Sequence, residues 1–450
     1  VEIEHTALYR EVEAIVGDVV KPVHFSWRAD IHVNGVTYTP LKLLSIDTVQ
    51  DFESNYADEV LVTLAVSGGT YAKRIYPFQD KIDITLYRTP LREVADTTDE
   101  EQSPSYERYS ATLLENGNPL IEANSHNSPS EEAMNLTNIF EVTFQLVGKG
   151  LEQLRMKSVG RIFRNTDVES VIKTLMTNDS KAIKVDGVNL PQGVTMVEAS
   201  NKAIRPFVEI RHGTKLVDVP QYVHHKCGGV YSAGMGYYLY RNFWHIYPCY
   251  DTTRFNKALK TMTLINLPSN KMPGIERTYR SNGRNLVVLA TGEVRLKDDS
   301  EGMQLNAGNG VRFATTKGMM EGTFVKTKGN KTSGQRGVST SEYVASERRN
   351  GQNNVHISQD AITANPYIEH SKLARRQGAL MTFVWENSQP DLIAPGMMIK
   401  VLYVEEGDVK EVYGTLLKAH HYTQLRGQGM QASRYISQSA LAVFIKLIRE

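Results

Sequence analysis

The segment from Gln389 to Leu425 constrains the fold more than any other. Ile399, Val401 and Tyr403 alternate with Lys400, Leu402 and Val404, and after "EEGD" the same two-residue beat resumes through Val409, Glu411, Tyr413, Thr415 and Leu417. Successive side chains of a strand point to opposite faces, so this beat predicts a long hairpin. Neither face is wholly polar. A ribbon with apolar residues on both sides sits between layers of its own protein or against another chain, which makes Ile399, Val401, Tyr403, Tyr413 and Leu417 candidates for an assembly surface.

Similar patterns fill both ends of the chain. "RADIHVNGVTYTPL" carries the Asn34-Gly35 pair that favours a two-residue hairpin turn, "DEVLVTLAVSGGTY" is rich in β-branched residues, and "DKIDITLYRT" and "IFEVTFQLVGK" alternate. Residues 21–150 are therefore expected to form an antiparallel β-barrel or sandwich, after an amphipathic helix over 1–20 with Leu8, Val12, Ile15 and Val19 on one face. The acidic, Ser- and Pro-bearing stretch 92–137 reads as an insertion on a barrel loop.

Residues 151–275 have a mixed texture. Asn165, Thr166 and Asp167 are N-cap candidates for a helix whose apolar face is Val168, Val171, Ile172 and Leu175. A hairpin about Asp186-Gly187 and an aromatic one, "GYYLYRNFWHIYPCYD", complete an α+β domain. Residues 276–450 return to strands, with a pair turned at Gly292 and a polar linker over 326–354. The fold class expected is mainly β with a mixed α+β middle domain and two antiparallel β-barrel domains.

Fifty-one basic against fifty acidic residues leave a net charge of +1, so no global field draws in nucleic acid or an anionic membrane. No apolar run is long enough to span a bilayer, and Glu2, Glu4, Glu11 and Glu13 stand where a signal peptide needs positive charge. Neither membrane insertion nor export by that route is expected. Only Cys227 and Cys249 occur, too few for a disulfide-built scaffold. The sequons "NDS", "NLT" and "NKT" are read as chance matches.

His224, His225, Cys227, His245 and Cys249 offer nitrogen and sulfur in pairs that suit zinc, but the spacing is irregular and no C-x-x-C occurs, so structural roles are favoured and no metal or cofactor is assigned. The aromatic run Tyr237 to Tyr250 has the chemistry to stack bases or sugars, yet its alternation about Arg241-Asn242 fits strand packing better. "NAGNGVRF" and "GNKTSGQRG" lack the Lys-Ser/Thr of a phosphate loop and read as turns. Basic residues concentrate in 326–349, either as an arm that orders on an acidic partner or as a solvated loop. With no G-x-S-x-G, H-E-x-x-H or distinctive carboxylate pair, no catalytic residue is assigned.

Several segments in order carry a resemblance: the run Asp51 to Asp58 with "IYPFQDKIDITL", the helix "RIFRNTDVESVIKTLM", the aromatic hairpin before "YPCYD", and "QPDLIAPGMMIKVLY". Together they resemble the tail hub, or baseplate hub, proteins of contractile-tailed bacteriophages over nearly the whole chain. The resemblance implies a virion protein assembled in the host cytoplasm. It implies a homotrimer in which each chain gives two tube-like barrels, forming a pseudo-sixfold ring. That ring would be a symmetry adaptor between the hexameric tail tube protein and the trimeric central spike protein. Tape-measure protein and baseplate wedge proteins would be its neighbours, with phage DNA only in transit. The terminal β domains are then expected to share one barrel topology. The alternatives are a tail-associated cell-wall hydrolase, or another tail component such as a wedge or sheath protein.

Overall fold

The computed structural model describes residues 2–17, 24–79, 81–91, 105–114, 139–181, 183, 190–295, 312–315, 323–328, 331–336, 341–344, 355–358, 365–376, 378–405, 408–427 and 434–446. The chain is mainly β, and it opens with helix α1 (Glu2–Val16). Seven strands follow: β1 (Phe25–Val33), β2 (Val36–Tyr38), β3 (Lys42–Asp51), β4 (Glu59–Ser67), β5 (Ile82–Pro90), β6 (Ser105–Leu113) and β7 (Ile139–Gly148). Asn34 and Gly35, both at positive φ, make the expected tight turn between β1 and β2.

The middle of the chain holds α2 (Lys149–Met156), β8 (Ser158–Thr166), α3 (Val168–Lys181), β9 (Gly193–Met196), β10 (Arg205–Lys215), α4 (Val219–Lys226), β11 (Gly236–Tyr240) and β12 (Phe243–Tyr247). Strands then return as β13 (Thr261–Asn266), β14 (Tyr279–Ser281), β15 (Asn285–Arg295), β16 (Arg312–Thr315), β17 (Thr323–Lys328), β18 (Lys331–Arg336), β19 (Ser341–Val344) and β20 (Val355–Ser358). After α5 (Pro366–Arg376) come β21 (Gly378–Trp385), β22 (Met398–Glu405), β23 (Asp408–Leu425) and β24 (Tyr435–Lys446).

The two ends of the chain repeat one strand order. In the first unit the strands lie as β1-β5-β6-β7-β4-β3, and in the second as β13-β22-β23-β24-β21-β15. Numbering the six main strands of each unit along the chain gives the same order, 1-4-5-6-3-2, in both. The second unit closes into a six-stranded barrel because β13 also pairs with β15; no ladder joins β1 to β3 among the described residues. The second barrel is not wholly antiparallel as expected, since β13 runs parallel to both β15 and β22.

Each unit has its own core. Ile31, Val62, Leu64, Ile84 and Phe144 fill the first, and Leu264, Val288, Phe383, Trp385, Val401 and Val443 the second. The middle unit buries Val171, Ile172 and Leu175 of α3 against Val208, Ile210 and Trp244. Asp167 is the cap that starts α3: its Oδ1 accepts from the backbone N–H of Ser170 at 2.8 Å. Helix α1 lays Leu8, Val12 and Ile15 on Ile265 and Leu289, on the outside of the second barrel; Val19 lies outside the described residues.

Four expectations need correction. β6, within 92–137, pairs with β5 and β7 and is a barrel strand rather than part of an insertion; the rest of that stretch lies outside the described residues. β13 belongs to the second barrel, not to the middle domain of 151–275. β15 runs straight through Gly292, where a Cβ would stand 2.2 Å from the ring of Phe383, so this glycine admits a neighbouring ring instead of turning the chain. In 326–354, β17 and β18 form an antiparallel pair and β19 pairs with β16, while the other residues lie outside the description, as does the Asp186-Gly187 turn.

Candidate assembly surfaces and the central cleft

The opening ribbon is β22 and β23, paired from Met398↔Thr415 to Glu405↔Asp408. Ile399, Val401 and Leu417 are buried in the second core, so they pack the barrel of their own chain and give no surface to a neighbour. Tyr403 is half-buried against that core, and Tyr413 reaches solvent with its ring edge-on to Phe255. Toward the tip the hairpin leaves the barrel. Val404, Glu405, Asp408 and Glu411 are exposed, and Glu411 pairs with Lys400.

At Leu417 the register of β23 against β24 shifts. The Leu417 carbonyl accepts from Phe52 N–H at 2.8 Å, and beyond it residues 418–424 of β23 pair with β3. A bulge at this point re-aims the strand, so that its first half belongs to the second barrel and its second half continues the first. Charged partners line the seam: Lys418 reaches Asp51 at 2.5 Å and His420 reaches Asp47 at 2.6 Å. Tyr435 of β24 is buried in the first core and donates to the Leu43 carbonyl at 2.7 Å.

A buried polar chain ties three units together at the seam. His421 contacts Ser439 Oγ through Nδ1 at 2.7 Å and Gln50 Oε1 through Nε2 at 3.1 Å. Gln50 Nε2 donates to Asp58 Oδ1 at 3.1 Å, and the Tyr238 hydroxyl of β11 donates to the same oxygen at 2.7 Å. Nε2 faces a carbonyl oxygen and donates to it, and burial pulls the His421 pKa down to about 3, which keeps the ring neutral. Burial raises the Asp58 pKa, against the lowering effect of its two hydrogen bonds.

Asp58 and Glu107 face a cleft of about 880 Å³ between the first unit, the β11–β12 turn and the 387–391 loop. Both side chains are reachable from the cleft yet enclosed by protein, and desolvation raises both. Glu107 accepts from the Tyr109 hydroxyl at 2.8 Å. Asp391 closes the cleft from the second unit: its side chain pairs with Arg88 of β5, and its carbonyl accepts from Arg241 of the β11–β12 turn at 2.8 Å. Asp58 with Tyr238, and Asp391 with Arg88 and Arg241, hold the three units to one another.

The histidines and cysteines do not converge. No group of three or more metal-ligating side chains occurs among the described residues. His224 Nδ1 accepts from Val230 N–H at 3.1 Å, and burial lowers its pKa to about 4; His245 on β12 is lowered equally by burial. Burial pushes the Cys227 thiol up to about 11 and the Cys249 thiol higher still. In the aromatic hairpin Tyr238, Trp244 and Tyr247 are buried, while Arg241 and Asn242 at positive φ form its turn, as strand packing requires. Sequence reasoning missed the seam chain, whose only trace is the alternation of "KAHHYTQL" continuing past Leu417.

No protein-family model matches the chain, and no curated protein sequence matches it. The fold is similar to the 43 kDa tail protein of prophage MuSo2 from Shewanella oneidensis, at 8% identity and a TM-score of 0.45, covering 92% of this chain and 98% of that one. It is similar to a chain of the PdpA-VgrG complex, at 10% identity and a TM-score of 0.41, covering 96% and 67%. It is also similar to the c3393 protein of E. coli, a type VI secretion component described as structurally similar to bacteriophage T4 tail proteins, at 9% identity and a TM-score of 0.39, covering 93% and 77%. These three similar structures are a prophage tail protein, a chain of a VgrG complex and a type VI secretion component.

Proposed function

We propose that the chain is the structural hub of a contractile tail baseplate, a homotrimer that adapts the sixfold tail tube to the threefold central spike around the DNA channel. The observation that carries this reading is the repeated strand order 1-4-5-6-3-2 in the two terminal units. Three copies of a chain whose two terminal units share one strand order present six similar docking units to the tube and three true repeats to the spike. A single-barrel protomer has no such property. The residues that resemble tail hub proteins, and the near-zero net charge of a part buried among protein neighbours while DNA passes through, support the same reading. Tube, spike, tape-measure and wedge proteins are its partners, and the tail baseplate its location.

The test is imaging of the assembled particle with this chain labelled. Threefold signal at the distal end of the tail tube, with the two barrels alternating around the ring, is the expected result. A sixfold or monomeric arrangement, or signal along the tail, removes the adaptor mechanism.

A further inference from the structure

The ribbon β8–β10 has an outer face that no described residue covers. Its inner face packs Val208 and Ile210 on the middle core, but on the outer face Ile162 is 66% and Phe207 65% exposed. The pairings Phe207↔Arg164 and Glu209↔Ile162 put these two side chains diagonally adjacent on one face, with the Arg164 guanidinium over the Phe207 ring. Outside its ladder with β10, β8 makes no backbone pairing among the described residues. Arg164 and Arg211 are exposed on the two strands, whose one acid is Glu209, whereas Arg161 is paired with Asp179 at 3.0 Å.

The tip of the β22–β23 hairpin has the opposite character. It leaves the second barrel with Val404 51% exposed and Glu405 and Asp408 in solvent, and the sequence "VEEGDVKE" holds four acids and one lysine. A chain of net charge +1 thus separates an acidic, apolar-tipped projection from a basic, apolar-faced ribbon. Complementary patches at different places on one molecule make a head-to-tail contact, which gives a ring where the rotation closes and a filament where it does not.

We infer that the β22–β23 hairpin tip of one copy docks on the outer face of β8–β10 of the next copy. Val404 covers Ile162 and Phe207, and Glu405 and Asp408 meet Arg164 and Arg211. This contact rests on the trimeric reading above and specifies which surfaces would join the ring.

The test is sedimentation of the full chain over a range of concentrations. E405K/D408K and R164E/R211E should each weaken self-association about tenfold or more, and combining them should restore it, since each reverses one side of the same charge pairing. F207D should also weaken it, and circular dichroism should remain that of the native chain because every altered side chain is exposed. Association of the native chain should fall between about 50 mM and about 500 mM salt. Oligomers insensitive to both charge reversals, or reversals that fail to rescue each other, overturn this contact and leave the trimeric hub standing. A chain that stays monomeric at every concentration overturns this contact, whereas the symmetry seen in the particle decides the hub reading separately.

Discussion

Nε2 of His421 lies 3.1 Å from Oε1 of Gln50, across the seam where β23 meets β3. Burial, not this pairing, keeps the imidazole neutral. Folding holds His421 near pKa 3, and His224 and His245 near 4, all below the ordinary 6.5. As pH falls below about 6.5 the unfolded chain takes up protons that the folded chain refuses, so stability drops by up to about 1.4 kcal/mol per pH unit for each such histidine. Asp58 and Glu107 act in the opposite sense, because their raised pKa values favour proton uptake in the folded state. Melting followed from pH 7.5 down to 5 should show a falling Tm, and His421→Gln should make the fall shallower. An unchanged slope in that variant would show that His421 is not a source of the acid sensitivity.

The two faces of the ribbon should respond differently to charge. Val401 is fully buried, and Val401→Asp places an unpaired carboxylate in the second core, at a cost of roughly 4 kcal/mol or more. Tyr413 is exposed, so Tyr413→Asp should change stability by less than about 1 kcal/mol. Urea unfolding of the two variants measures the contrast, and equal losses would contradict the burial described for this hairpin.

Gly396 sits at φ +64°, and a Cβ there would meet the Tyr247 ring at 2.4 Å. Tyr247 in turn donates to the Phe52 carbonyl at 2.9 Å, so the ring has no room to retreat. Gly396→Ala should cost roughly 2 to 4 kcal/mol from left-handed backbone and the clash together, read as a lowered denaturation midpoint. A variant as stable as the native chain would mean that this approach is looser than the geometry indicates.

Chelation should leave the melting temperature unchanged, because among the described residues no three of the side chains His224, His225, Cys227, His245 and Cys249 come together. The thiols should also react slowly with iodoacetamide at about pH 8, since Cys227 and Cys249 are both buried and protonated there. Stoichiometric zinc release, or fast alkylation of the native chain, would contradict this placement.

What could be read in the letters followed from periodicity. The β22–β23 ribbon, the tight turn at Asn34-Gly35, the start of α3 at Asp167 and the apolar face of α1 all rest on side chains a few residues apart, where local sequence decides the outcome. β13 escaped because "TMTLIN" is only six residues long and its parallel partners β15 and β22 are fixed by the tertiary fold, so nothing local ties it to the second barrel. β6 escaped because four of its first residues face the cleft or solvent, so "SYERY" reads as polar loop. The interior place of Ile399 and Val401 turns on β13 arriving beside β22, and that of Leu417 on Phe52 meeting its carbonyl, contacts distant in the chain. The His421–Gln50–Asp58–Tyr238 chain is long-range in the same way, joining residues that no spacing rule connects.

The eighteen residues of β23 form one extended strand of about 60 Å serving both barrels. A hinge between the barrels would require this strand to break, so the two cannot tilt independently. Force entering one barrel along the strand direction would load the ladders with β3, β22 and β24 in shear, where many hydrogen bonds resist at once instead of peeling one by one. β23 is therefore one covalent path, bent at the Leu417 bulge, along which a pull on one half of the molecule would reach the other.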